Sequence, residues 1–344
     1  MAGVLTPVQH LSIALATPLQ AGKRVRTSEE LEALLMLATY NPALGAFVDT
    51  LDVVMFAPFS SATLWKSIAV LPNLTDLILI VPDLRNATAL GDITLPQLQY
   101  FRTDLPHRTL LGFLQAHPTI GDLDLLDGAH AGALCPLRMV DLSHVQHFSG
   151  PSRCISQLAH DGATRLTMEL EDDCQGASLP LHTIPSLLPL LYQLTIDIRN
   201  DDDDILYNVA RAFPGLRKLK LVEKASPTHR PSLARRAWND TLAWSRALRM
   251  LCDLEELLLR TRAPLVRKSA NADAERKVIS AWINGTRRAS RRTVPKPHPT
   301  LYHVGVWYGA GKYRGGCITH WSRLAGGWER IISVIDPGRD HLFL

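Results

Sequence analysis

Little in this chain marks an enzyme, a membrane protein or a disulfide-stapled secreted domain. Its five cysteines, Cys135, Cys154, Cys174, Cys252 and Cys317, are odd in number, widely scattered and form no C-x-x-C. That pattern suits reduced thiols in an intracellular protein, and it offers neither a disulfide framework nor a zinc site. No apolar run reaches the roughly 20 residues of a membrane span. The start, MAGVLTPVQHLSIALATPLQAG, has no basic region ahead of its short apolar stretch, so neither membrane insertion nor secretion is expected. Four of the eight asparagines do sit in glycosylation triplets, at Asn73, Asn86, Asn239 and Asn284. Asn73 and Asn239 fall inside patterns of ordinary packed structure, which favours a cytoplasmic chain over a secreted one.

Catalytic frames are missing as well. Gly309/Gly311/Lys312 lacks the spacing of a phosphate-wrapping loop, and Gly176/Ser178/Pro180 lacks the second glycine of a nucleophile elbow. His144 and His147 are not placed i, i+4 around a glutamate, and Asp201 to Asp204 has no alternating ligands or turn glycine. That acidic run reads as a helix start. No catalytic residue, no metal ligand and no cofactor is therefore expected, and the chain reads as non-enzymatic.

What is present is a repeat. An apolar-x-x-apolar-x-x-apolar-x-apolar frame returns ten times, most cleanly at Leu71/Leu74/Leu77/Leu79, Leu188/Leu191/Leu194/Ile196, Phe213/Leu216/Leu219/Leu221 and Leu251/Leu254/Leu257/Leu259. Rougher copies open on His117, His160 and His298. With 46% apolar residues, roughly one window in twenty fills such a frame by chance. Placement resists that explanation. The third slots fall at Leu51, Leu77, Phe101, Leu123, Val140, Leu166, Leu194, Leu219, Leu257 and Val304, and most steps between them lie within the 20 to 29 residues of a leucine-rich repeat. Proline follows slot one at Pro72, Pro96, Pro118, Pro214 and Pro299, although only 22 of 344 residues are proline.

Proline disfavours helix at the residue before it and lacks an amide hydrogen, so it closes a preceding helix and lets a short strand begin. In Leu77-x-Leu79 or Leu219-x-Leu221 the period of two sends both leucines to one face. One such unit cannot bury its leucines alone, so units must stack. Helical spacing lies between strands at Leu64/Ile68/Leu71, Leu110/Leu111/Leu114, Ile155/Leu158, Ile205/Val209/Phe213, Leu233 to Leu251 and Val278/Ile279/Trp282/Ile283, with another helix expected at Trp328/Ile331/Ile332. The fold class this predicts is α/β: a leucine-rich-repeat solenoid with an arc of short parallel strands on the concave side and helices on the convex side. Residues 1–27 read as a poorly defined N-terminal segment. The solenoid covers 28–344, with a basic insertion at about 262–297 and a C-terminal cap at about 308–344.

The repeat frame, the LPNLTDLIL strand entry and the stretch SEELEALLMLATYNPALGAFVDTLDV resemble the leucine-rich-repeat region of fungal F-box-type proteins over roughly residues 28 to 310. In that family an F-box docks on a ubiquitin-ligase core while the repeats capture a substrate. Residues 1 to 45 show no LP-x-E-L-type opening followed by paired helices, so the resemblance implies the binding arm of such an adaptor or of a relative lacking the F-box. The partner it implies is a protein, with the ligase core as a second partner.

The strand residues opposite the leucines define the expected binding wall. They include Asp76, Asp122, Asp124, Asp141, Glu169, Lys218, Lys220, Arg260 and Trp307. Carboxylates dominate early and cations late, which suits a partner with basic and acidic ends; the other reading is a merely solvated face. Trp307 is either an exposed anchor or a residue covered by the terminal cap. Residues 260 to 296 hold eleven Lys/Arg against Asp273 and Glu275. Arg287, Arg288, Arg291 and Arg292 in that segment carry the alternative function, contact with nucleic acid or another polyanion, and Arg287 to Lys296 resembles a nuclear import signal. Aromatics are sparse there, which lowers the case for single-strand nucleic acid.

Overall fold

The computed structural model describes residues 22–82, 84, 88–126, 134–170, 181, 184, 188–200, 202–224, 236–262, 265–266, 272–285, 297–308, 317–324 and 327–334. The chain divides into two compact units, Met1–Leu158 and Ala159–Leu344.

The first unit carries six parallel strands in chain order: β1 (Gly22–Val25), β2 (Thr50–Val54), β3 (Asp76–Ile80), β4 (Tyr100–Thr103), β5 (Asp122–Leu125) and β6 (His147–Pro151). Register aligns the third slots, Leu51↔Leu77↔Phe101↔Leu123↔Phe148, and each of these side chains is buried. Helices α1 (Ser28–Tyr40), α2 (Pro42–Ala46), α3 (Ser61–Ala69), α4 (Leu111–Ala116) and α5 (Ser152–Leu158) join them, with 3₁₀ turns at Thr88–Asp92, His107–Leu110 and Pro136–Met139. The side chain of Thr27 caps α1 by accepting from the Glu30 amide, and Glu30 accepts in return from the Arg26 amide. Ser60 caps α3 through the Thr63 amide. On α3, buried Ser67 donates to its own helix at Thr63 or across to the Leu31 carbonyl on α1, which ties the two helices together.

The second unit repeats the arrangement with β7 (Arg165–Glu169), β8 (Gln193–Ile198), β9 (Lys218–Glu223), β10 (Glu256–Thr261) and β11 (His303–Tyr308), all parallel. Its buried columns are Leu166, Leu194, Leu219, Leu257 and Val304, then Met168, Ile196, Leu221, Leu259 and Val306. Helices α6 (Ile205–Ala212), α7 (Thr241–Met250) and α8 (Ala272–Asn284) lie between strands. Beyond β11 the direction reverses, and β12 (Cys317–Leu324) and β13 (Gly327–Val334) form an antiparallel hairpin paired to it. Both units thus have the α/β leucine-rich-repeat construction.

A backbone device recurs along the repeats and explains the frame, although in the last of them the Leu301 amide turns to Nδ1 of His298 instead. The slot-two amide donates to the slot-one carbonyl, as in Leu74 to Leu71, Ile120 to His117 and Leu216 to Phe213. Two successive amides at the strand entry then share one carbonyl of the preceding repeat: Thr75 and Asp76 on Asp49, Arg217 and Lys218 on Tyr192, Tyr302 and His303 on Glu255. These bonds satisfy the turn's backbone and fix the stagger between repeats.

Two expectations are corrected. Val140 is not a strand residue; it closes the turn Pro136–Met139. The real copy is Leu142/Val145/Phe148/Gly150, in which Val145 N donates to Leu142 O. Its fourth slot is glycine because Gly150 has φ +147° and an added Cβ would overlap the Leu125 carbonyl oxygen. Trp328, Ile331 and Ile332 lie on strand β13 and not on a helix. Residues 22–25, within the N-terminal segment 1–27, form strand β1. Asn86, Cys174, Gly176, Ser178, Pro180, Asp201, Gly309, Gly311 and Lys312, together with Arg287, Arg288, Arg291 and Arg292, lie outside the described residues.

Candidate functional site

Strand residues that point away from the leucine columns build one face in each unit. In the first unit this face is laced by lateral ion pairs. Asp52 is held by Arg24 and Arg26 at 3.0 and 2.9 Å, Asp124 by Arg102 at 3.4 Å, and Asp122 lies 3.5 Å from His147. Tyr100 points its hydroxyl at Asp124 from 3.5 Å. Burial, followed by the neighbouring carboxylate, pushes that phenol up to about 12. Asp76 accepts from the Thr75 hydroxyl at 2.6 Å. Asp52 and Asp124 therefore meet cations of the neighbouring repeat within the fold. Asp141 is not part of the wall: it precedes β6 and caps a turn by accepting from the Ser143 amide at 3.0 Å.

In the second unit the register places Gln193, Lys218, Glu256 and His303 in one row and Thr195, Lys220, Leu258 and Gly305 in the next. A third row runs Asp197, Val222, Arg260 and Trp307, with Ile318 of β12 beside Trp307. Glu169 ends β7 and is half-buried. Asp197 is buried, accepts from the Leu170 amide and pairs with Lys224 at 2.9 Å. Burial nevertheless raises its carboxyl above the ordinary range. Lys218 bonds Glu256 at 2.9 Å, and Tyr302 donates to the same carboxylate at 2.9 Å. Burial alone would push Glu256 up, but these two partners outweigh it and hold the carboxyl low.

The third row carries the distinctive geometry. The Arg260 guanidinium sits 4.0 Å from the centre of the Trp307 ring, inside the range of a cation–π contact. Leu258 lies over Gly305, which has no Cβ to obstruct it. Lys220, Leu258, Leu259, Arg260, Gly305, Trp307 and Ile318 together line a shallow depression of about 290 Å³, counting space open to solvent. This is at the lower edge of small-molecule pockets, and it matches one large side chain better than a cofactor. Next to it His303 and His320 stack with ring centres 5.3 Å apart and Nε2 to Nδ1 at 3.0 Å. Burial depresses both imidazoles, so near neutral pH neither ring adds to the positive charge of Lys220 and Arg260. Sequence reasoning named Lys220, Arg260 and Trp307 but missed Leu258 and Gly305. The first occupies an outward strand position like any solvated leucine, and the second breaks the pattern only as a missing side chain.

The segment read as a basic insertion contains α8, whose Ile279, Trp282 and Ile283 are buried. Trp282 packs 4.8 Å from Trp244 and donates to the Trp238 carbonyl. Buried Glu275 accepts from Trp321 Nε1 and Arg330, each at 3.0 Å, which fastens α8 to the terminal hairpin. Cysteines that looked scattered also come together: Cys135 and Cys154 converge on His107 in the interior of the first unit. Among the described residues no helix is long and apolar enough to cross a membrane.

No family model and no curated protein sequence matches the chain. Among solved structures it is similar to the leucine-rich repeat-containing protein LegL7 from Legionella pneumophila, at 19% identity over 65% of this chain and 77% of that one, with a TM-score of 0.42.

Proposed function

We propose that this chain is a non-enzymatic recognition scaffold that holds a protein partner on the strand face of its second unit. The depression at Trp307, Arg260 and Leu258 is its anchor point. The observation that carries the reading is the half-exposed Trp307 with Arg260 stacked on it, beside an apolar floor and Lys220. Tryptophan and arginine are the residue types that dominate binding energy at protein interfaces. The matching ligand is a segment with one large apolar side chain next to a carboxylate. The finer reading is the substrate-recognition arm of a ubiquitin-ligase adaptor. It rests on the resemblance of roughly residues 28–310 to the leucine-rich-repeat region of F-box-type proteins, whose opening stretch, residues 28–53, runs here through α1 and α2 into β2. Co-purification of ligase core subunits with the full chain tests that extension separately.

Display of random peptides against the full chain tests the anchor. Enriched peptides should carry an apolar residue flanked by Asp or Glu. Their binding should weaken by at least about tenfold in Trp307→Ala and in Lys220→Glu. Equal binding to both variants would sink the reading. Selection of ligands whose affinity collapses with added salt whatever their sequence would point instead to a polyanion held by Arg287, Arg288, Arg291 and Arg292.

A further inference from the structure

We propose that His107, Cys135 and Cys154 form a three-ligand site for a zinc-class divalent cation inside the first unit. The site is independent of the recognition face. Each residue comes from a different repeat: His107 opens the turn His107–Leu110 after β4, Cys135 precedes the turn Pro136–Met139 after β5, and Cys154 sits on α5 after β6. All three are buried, at 1, 0 and 0% exposure. Their ligand atoms lie within 4.8 Å of one another, with Nδ1 of His107 3.4 Å from the Cys135 sulfur and 3.6 Å from that of Cys154.

Those separations decide the matter. With zinc–sulfur and zinc–nitrogen bonds of about 2.3 and 2.0 Å, the nitrogen–sulfur edge of a tetrahedron is about 3.5 Å and the sulfur–sulfur edge about 3.8 Å. Both nitrogen–sulfur separations thus already match the edge a zinc ion requires, and the two sulfurs lie within 4.8 Å of each other. Two thiol-to-imidazole hydrogen bonds would have similar lengths, but the one lone pair on Nδ1 can be met linearly by only one of them. A cation at the point of convergence satisfies all three groups. Charge selects its valence: a divalent ion with two thiolates and a neutral imidazole is neutral overall, whereas a monovalent ion would leave a buried negative charge. Thiolate and imidazole donors exclude calcium and magnesium. Binding releases the two thiol protons to solvent, and the ring proton of His107 stays on Nε2. The fourth corner falls to water or to a ligand outside this trio.

Titrating the reduced, chelator-stripped full chain with Co2+ tests the site. Unmodified protein and the Cys252→Ser control, whose cysteine is exposed, should develop sulfur-to-cobalt charge-transfer absorption and strong tetrahedral ligand-field bands. Both should saturate at one equivalent and bleach on adding Zn2+. Cys135→Ser and Cys154→Ser should lose the bands while keeping native far-UV circular dichroism. Because a core serine can unfold the unit, a second measurement uses the unmodified chain alone: native mass spectrometry should show one zinc bound, and zinc should raise its Tm. Three results would each overturn the site: no thiolate–cobalt band in the folded unmodified chain, a band that survives the Cys135→Ser/Cys154→Ser double variant, or a Cys135–Cys154 disulfide that forms even with zinc present.

Discussion

The histidines that open three of the repeat frames behave as backbone partners. His117 is buried, accepts from the Leu95 amide through Nε2 at 2.9 Å and donates from Nδ1 to the Phe113 carbonyl at 2.6 Å. His298 accepts from the Leu301 amide and reaches the Leu248 and Leu251 carbonyls, each at 3.0 Å. Each ring accepts on one nitrogen, so each must stay neutral, and burial holds both below their ordinary value. The unfolded chain, with histidines near 6.5, therefore binds more protons than the folded one just below that pH. Stability is complete above about pH 6.5 and falls as pH drops through it toward the folded values. The urea midpoint should be lower at about pH 5.5 than at about pH 7.5, and the difference should shrink in His117→Gln. An unchanged slope in that variant would remove His117 from the account.

At the scale of elements, legibility followed local chemistry. Leu77, Leu194, Leu219 and Leu257 announced their strands because slot, period and turn all agreed, and each fills the buried column expected of it. The strand holding Phe148 was missed because backbone contact with Leu125 leaves room only for hydrogen at Gly150. The helix expected at Trp328, Ile331 and Ile332 failed for another reason: over so short a stretch, the spacing also fits a strand with two exposed isoleucines. Clusters that assemble across repeats left no local trace at all, as with His107, Cys135 and Cys154, or Leu258 against Gly305. The α8 helix had a readable apolar stripe but an unreadable role. Its Trp282 is 1% exposed and sits between Trp244 and the Trp238 carbonyl, so Trp282→Ala should cost about 3–5 kcal/mol. A shift in the denaturation midpoint of less than about 1 kcal/mol would mean that α8 is dispensable decoration.

Across the whole molecule, the two units hold unequal shares of the seven tryptophans. Trp65 alone belongs to the first unit; Trp238, Trp244, Trp282, Trp307, Trp321 and Trp328 belong to the second. In stacked repeats stability is a sum of neighbour terms, so damage should stay near its source. Gly150→Ala places a methyl against a backbone oxygen at positive φ, at a cost of at least about 2 kcal/mol. It should lower the midpoint followed by far-UV circular dichroism while leaving the tryptophan-fluorescence midpoint nearly fixed. Coincident shifts in both signals would show one cooperative transition.

The pairing of β10 with β11 is residue for residue, Glu256 with His303 through Thr261 with Tyr308, although 47 positions separate Leu257 from Val304. The ladder thus counts rungs and is indifferent to how much chain is spooled out between them. Descendants of this sequence could vary the length of chain flanking α8 while Arg260 and Trp307 kept the same embrace.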